Sequence, residues 1–206
     1  MNSQTQRASI AGPAGVLQCA IDEPAEAVRG VMVVCHPHPL HGGTMDNKVV
    51  QTVARAGLQQ GLRTVRFNFR GIGESAGAWD AGQGEVDDAL AVIAAYRDAA
   101  LPLWLAGFSF GGYVASQAAA RLASQGTPAD GLVLVGPATR NFEVATVPEG
   151  TLVIHGEADD VVPLQATLDW ARPQSLPVVV VPGVGHFFHG QLPLLKSLVV
   201  RHLAAA

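Results

Sequence analysis

At 206 residues the chain can bury one substantial core but hardly two, so a single domain over residues 1–206 is expected. Hydrophobic residues make up 49% and charged residues 15% of it, with a mean hydropathy of +0.25, which excludes a disordered chain and fits a sheet covered on both faces. A net charge of −4 without any Lys/Arg-rich run argues against nucleic acid or an anionic membrane surface as a partner.

Residues 1–9 are polar and lack the apolar centre of a secretory signal, and no later run approaches the roughly 18 apolar residues that span a bilayer; a cytoplasmic protein is expected. Residues 8–22, with Gly12-Pro13-Ala14-Gly15 inside, read as an antiparallel hairpin. Beyond it, short β-branched runs at 30–35, 63–67, 103–106, 132–135, 151–155 and 178–181 alternate with helical patterns at 48–60, 85–97, 110–123, 163–170 and 192–203. Such alternation predicts the α/β class, a mostly parallel central sheet with helices on both faces and the N-terminal hairpin added at its edge. Cys35 closes the first parallel run, and with only Cys19 beside it in the chain both thiols read as reduced.

In open sheets of this kind ligands gather at the carboxyl ends of the strands. The residues there are His36-Pro37-His38 after the first parallel strand, Ser109 after the third, Asp159 after the fifth and His186 after the sixth. A G-x-S-x-G pattern occurs twice, around Ser109 and around Ser75. Only Ser109 stands between a strand pattern, 103–106, and a helix pattern, as a nucleophile elbow requires; Ser75 leads into the glycine-punctuated stretch 76–84 and reads as a loop residue. A helix N-cap would explain a serine at 109 but not the glycines on either side of it.

A serine hydroxyl needs an imidazole to take its proton and a carboxylate to fix that imidazole's tautomer. For the base, His186 sits in the glycine-lined turn Pro182-Gly183-Val184-Gly185, with His189 in reserve; His155 reads as structural and His202 as a surface residue. For the acid, Glu157, Asp159 and Asp160 follow the fifth strand, Asp159 being preferred. Two N–H donors would receive the charge that develops on the carbonyl oxygen, each worth roughly 3 kcal/mol in the transition state. One is the backbone of Phe110; the other falls to His38 or Leu40, because Pro37 and Pro39 have no N–H, and His38 is preferred. Against this stands a metal reading: His36, His38 and His41 have H-x-H-x-x-H spacing, as in metallo-β-lactamase-like zinc hydrolases, although Leu40 occupies the place of that family's aspartate.

Taken together, His36-Pro37-His38-Pro39 with Gly42-Gly43-Thr44-Met45-Asp46-Asn47-Lys48, Asn68-Phe69-Arg70-Gly71-Ile72-Gly73, Gly107-Phe108-Ser109-Phe110-Gly111-Gly112, His155-Gly156-Glu157-Ala158-Asp159 and Gly185-His186-Phe187-Phe188 resemble the small, lidless bacterial α/β-hydrolases related to dienelactone hydrolase and carboxylesterases. The resemblance covers about residues 8–203 and implies the α/β-hydrolase fold, Asp159 as the acid and His38 as an oxyanion donor; no cofactor or metal is expected. Dienelactone hydrolase itself uses cysteine, so its lactone chemistry does not carry over to a serine.

Only residues 136–150 separate the fourth and fifth parallel strands, which leaves no room for a lid. An open cleft buries little of a long acyl chain, and each unburied CH₂ forgoes roughly 0.8 kcal/mol. Short-acyl esters or thioesters are therefore the expected small-molecule substrates of a monomer or homodimer, with Phe108, Phe110, Trp79, Phe142 and Phe187 as walls. A non-catalytic binding protein on the same fold is the reading from a different class.

Overall fold

A computed structural model describes residues 5–205. The hairpin forms from β1 (Gln6–Gly12) and β2 (Gly15–Asp22), paired from Gln6↔Ile21 to Gly12↔Gly15. Alternation in β2 turns Leu17, Cys19 and Ile21 into the core. The strands that follow are β3 (Gly30–Cys35), β4 (Leu62–Phe67), β5 (Leu103–Phe108), β6 (Gly131–Val135), β7 (Leu152–Gly156) and β8 (Val178–Val181). They make one eight-stranded sheet in the order β1-β2-β4-β3-β5-β6-β7-β8, antiparallel from β1 to β4 and parallel from β4 to β8. All six residues of β3 and all six of β5 are buried, as expected of central strands covered on both sides.

The helices are α1 (Lys48–Gln59), α2 (Gln83–Tyr96), α3 (Phe110–Ser124), α4 (Leu164–Ala171) and α5 (Leu192–Ala205). One core joins Val33, Phe67, Leu105 and Leu132 to α2 and α3; a second joins Met32, Val34, Phe108 and Ile154 to α1 and α5. Each leucine or phenylalanine so buried contributes roughly 1.5–3 kcal/mol. His202, expected at the surface, is instead half-buried, with its ring edge-on to Trp104 at 5.8 Å. Tertiary packing of α5 against the sheet overrides the polar character of that residue.

Three polar devices fix the loops at the carboxyl ends of the strands. Arg66 on β4 pairs with Asp22 at 3.2 Å and Asp46 at 3.1 Å and donates to the Met45 carbonyl at 3.0 Å, tying down the approach to α1. Asn47 then caps α1, accepting the Val49 N–H at 2.9 Å. Arg70 grips the fully buried Asp88 of α2 through Nε at 3.0 Å and Nη2 at 2.8 Å, a fork that fits a carboxylate bidentately. Residues 136–150, between β6 and β7, hold no helix; Val144 and Val147 are buried, and the Trp170 indole N–H donates to the Val144 carbonyl at 3.0 Å. This segment lies down on the core, and no lid stands over the sheet.

Candidate active site

Ser109 follows β5 directly and opens α3, with φ +56° and ψ −119°, a conformation that L-residues adopt only under strain. The flanking glycines make the turn possible. A Cβ on Gly107 would come within 2.0 Å of the Gly111 carbonyl oxygen, and one on Gly111 within 2.2 Å of the Cys35 carbonyl oxygen. Strand, turn and helix are thus packed backbone to backbone, which leaves glycine as the one residue type that fits at either place. Ser75 has a different part: its hydroxyl donates to the Asn68 carbonyl at 2.7 Å and accepts the Gln18 N–H at 2.9 Å, so it staples a loop to the hairpin.

His186 and Asp159 meet in the turns after β8 and β7. The imidazole Nδ1–H donates to Asp159 Oδ2 at 2.6 Å, while Asp159 Oδ1 accepts the N–H groups of Val161 at 3.0 Å and Val162 at 2.7 Å. Burial by itself would raise the Asp159 pKa; the bonds from His186 and Val162, with the nearby imidazoles, outweigh it and hold the carboxyl below its ordinary 3.8. With Nδ1–H committed to that carboxylate, the neutral ring carries its lone pair on Nε2, the atom a base would use.

Ser109 and this pair converge through residues 135 and 136. Ser109 N–H donates to the Val135 carbonyl at 2.9 Å, and the next residue, Gly136, at φ +47°, lies so close to the pair that a Cβ there would sit 3.4 Å from the His186 ring and 3.5 Å from Asp159 Oδ2. Ser109 and His186 line one cleft of about 420 Å³. A larger hollow of about 620 Å³, bounded by Arg29, Trp104 and Asp130, lies at the amino ends of the strands and holds none of these groups.

The other candidates separate clearly. Asp160 and Glu157 are exposed, and the Glu157 carboxylate accepts the Gly183 N–H at 2.9 Å; His189 is exposed and stacked on Phe187 with centroids 5.8 Å apart. His155 is fully buried: Nε2–H donates to the Val162 carbonyl at 2.9 Å and lies 3.4 Å from Asp159 Oδ2, and burial lowers its pKa. Its contact with the acid went unseen in sequence because the chain reverses between the two residues.

The loop after β3 brings His38 and His41 to the cleft and keeps His36 away. His36 is fully buried, its Nε2 accepting the Phe69 N–H at 3.1 Å and its Nδ1–H donating to the Pro37 carbonyl at 2.6 Å; burial drives its pKa down to about 3. Both nitrogens being engaged, the three-histidine zinc reading loses its first ligand, and among the described residues no cluster of three or more His, Cys, Asp or Glu is arranged for a metal ion. Leu40 N–H is taken by His38 Nδ1 at 3.2 Å, whereas among the described residues the N–H groups of His38 and Phe110 donate to no protein group. That removes Leu40 from the choice of oxyanion donor.

Of the expected walls, Phe110, Phe142 and Phe187 line the cleft. Phe108 and Trp79 do not. The Phe108 side chain turns into the core and supports the His186 ring from 4.9 Å, as inward alternation at the end of β5 dictates, and Trp79 backs His38 at 4.5 Å and Phe110 at 5.2 Å. Asn47, Asn141, Val161 and Val162 are also part of the lining, and no sequence signal marked them as wall residues.

A family model described as serine aminopeptidase, S33 (Hydrolase_4) matches residues 26–145. The chain belongs to this family of α/β-hydrolases. The matched segment holds the elbow and the loop after β3 and ends before Asp159 and His186. The chain is similar to a lidless α/β serine hydrolase from Xanthomonas campestris, at 37% identity and a TM-score of 0.90, over 100% of this chain and 96% of that one. To an α/β serine hydrolase homologue from Coxiella burnetii it is 40% identical, with a TM-score of 0.82, over 96% and 97% of the two chains. An uncharacterised protein of Rickettsia prowazekii (strain Madrid E) is 28% identical over 193 residues, 86% of this chain and 79% of the other. The protein is thus a serine hydrolase of the α/β fold without a lid, and no helix among the described residues is long and apolar enough to cross a membrane.

Proposed function

We propose that the chain hydrolyses small carboxylic esters of short acyl groups, and thioesters of the same acids, through an acyl-enzyme. Ser109 Oγ attacks the carbonyl while His186 Nε2 takes its proton. The Phe110 and His38 N–H groups receive the oxyanion, and the protonated imidazole, steadied by Asp159, returns the proton to the departing alcohol or thiol. Water then repeats the sequence and frees the acid.

The observation that carries this reading is the 2.6 Å bond from His186 to a carboxylate held by two backbone N–H groups, in the same cleft as a serine at φ +56°. Esters are favoured over peptides with a free amino terminus by the cleft's chemistry. Among the described residues its lining carries no carboxylate to hold an ammonium group; Asp159 is buried behind His186. The absent lid favours short acyl groups, as no second layer exists to cover a long chain.

Ser109→Ala tests the proposal. It should abolish turnover of p-nitrophenyl acetate and labelling by a fluorophosphonate while the circular dichroism spectrum stays that of the parent. Stoichiometric labelling that survives the change would remove Ser109 from the mechanism, and an unlabelled parent would leave a binding protein on this fold.

A further inference from the structure

One side chain at the cleft has no part in the proposed reaction and is nonetheless firmly held. His38 caps the short 3₁₀ turn Pro39–His41, its Nδ1 accepting the Leu40 N–H at 3.2 Å. An imidazole that accepts at Nδ1 carries its proton on Nε2 when neutral. The ring is packed by Trp79 at 4.5 Å, His41 at 4.6 Å, Phe110 at 5.1 Å and Phe142 at 5.8 Å, so it has little freedom to turn away. Burial first, then the neighbouring His41, lowers its pKa and keeps the neutral form dominant at pH 7. Among the described residues the Nε2–H has no acceptor, yet His38 lines the cleft with Ser109. No Lys or Arg lines that cleft, so a neutral acceptor suits the donor better than a free anion.

We propose that the His38 Nε2–H binds an oxygen carried on the acyl group next to the ester carbonyl, making 2-alkoxy-, 2-hydroxy- or 2-oxo-acyl esters the preferred substrates over plain alkanoyl esters. The placement rests on the shared residue: if the His38 N–H holds the oxyanion, the side chain on that same residue lines the cleft beside the carbonyl under attack, together with Ser109. The proposal rests on the serine-esterase reading above. His38 then has two separable duties, a backbone donor needed by every ester and a side-chain donor that discriminates among acyl groups.

Methoxyacetyl and butyryl groups differ by one oxygen in place of one CH₂, so p-nitrophenyl methoxyacetate and p-nitrophenyl butyrate form the test pair. The ratio of their kcat/KM values, divided by the ratio of their hydroxide hydrolysis rates, should exceed one in the parent protein. It should fall about three- to tenfold in His38→Phe, which keeps the ring and the backbone N–H but loses the donor. His38→Asn keeps a cap for the Leu40 N–H without the reach and should fall likewise, while His38→Gln, whose amide reaches further, should recover part of the preference. A corrected ratio at or below one in the parent, or one unchanged in both the Phe and Asn variants, overturns the proposal. Turnover of both esters that persists in Ser109→Ala refutes the esterase reading itself and this inference with it.

Discussion

Replacing Asp159 with asparagine removes one charge and turns one acceptor into a donor, and the surrounding bonds dictate which way the amide faces. Oδ1 of Asp159 accepts two backbone N–H groups, from Val161 at 3.0 Å and Val162 at 2.7 Å. An NH₂ group there would orphan both donors, at a cost of about 1–3 kcal/mol each, so the amide oxygen stays and the NH₂ turns to His186. His186 Nδ1 must then accept, its proton moves to Nε2, and the base is lost. The imidazolium of the transition state also loses its counter-charge; two unit charges about 4 Å apart interact by roughly 4 kcal/mol at an effective dielectric of about 20, or about a thousandfold in rate. Together the two effects predict a fall in kcat of about 10³- to 10⁴-fold with p-nitrophenyl acetate, KM changing little. A rate within tenfold of the parent would refute the reasoning and direct attention to the exposed carboxylates of Asp160 and Glu157.

Ser75→Ala removes a hydroxyl that bridges Asn68 and Gln18, so it should cost about 1–3 kcal/mol in urea unfolding while fluorophosphonate labelling stays complete. Gly111→Ala drives a methyl against the Cys35 carbonyl and should cost at least about 3 kcal/mol, seen as a large drop in Tm or as insoluble protein; a well-folded, active variant would contradict the close packing of the elbow. Burial holds His36 near a pKa of about 3 against 6.5 for the free side chain. Below pH 6.5 the unfolded chain therefore binds a proton that the folded chain refuses. His36 thus contributes stability in full above about pH 6.5, and loses it as the pH falls toward 3, by up to about 1.4 kcal/mol per pH unit. Urea midpoints measured from pH 7.5 to 5 should decline, and decline less steeply in His36→Gln; equal slopes would exclude His36 as the source.

Much of the fold was legible because its signals are local. The alternation of short β-branched runs with helical patterns fell within a few residues of the observed elements, the hairpin included, and the short span 136–150 already left no space for a lid. The elbow was legible because backbone crowding admits only glycine at 107 and 111, a requirement written into residue type. The decoy around Ser75 carries the same letters, and the absence of a strand-to-helix context exposed it before its hydrogen bonds did.

Less local properties were harder to read. His36, His38 and His41 have the spacing of a metal loop, yet backbone direction after β3 buries the first and turns the other two to the cleft. Sequence preferred His38 as oxyanion donor but kept Leu40 beside it, and only the fold shows that a side-chain cap occupies the Leu40 N–H. Phe108 and Trp79 were expected at the cleft and stand behind it, while Asn47 and Asn141, which no sequence signal marked as wall residues, reach it.

What the amino-acid order alone determined was therefore the class of sheet, the place of Ser109 between a strand and a helix, and the order in which Ser109, Asp159 and His186 follow their strands, since each follows from periodicity, turn chemistry or glycine at short range. Tertiary structure decided which of three neighbouring carboxylates meets His186, which N–H groups are left unpaired, and which aromatic rings face the cleft. Those outcomes depend on how segments tens of residues apart pack and satisfy each other's polar groups, and that competition is settled only when the sheet has assembled.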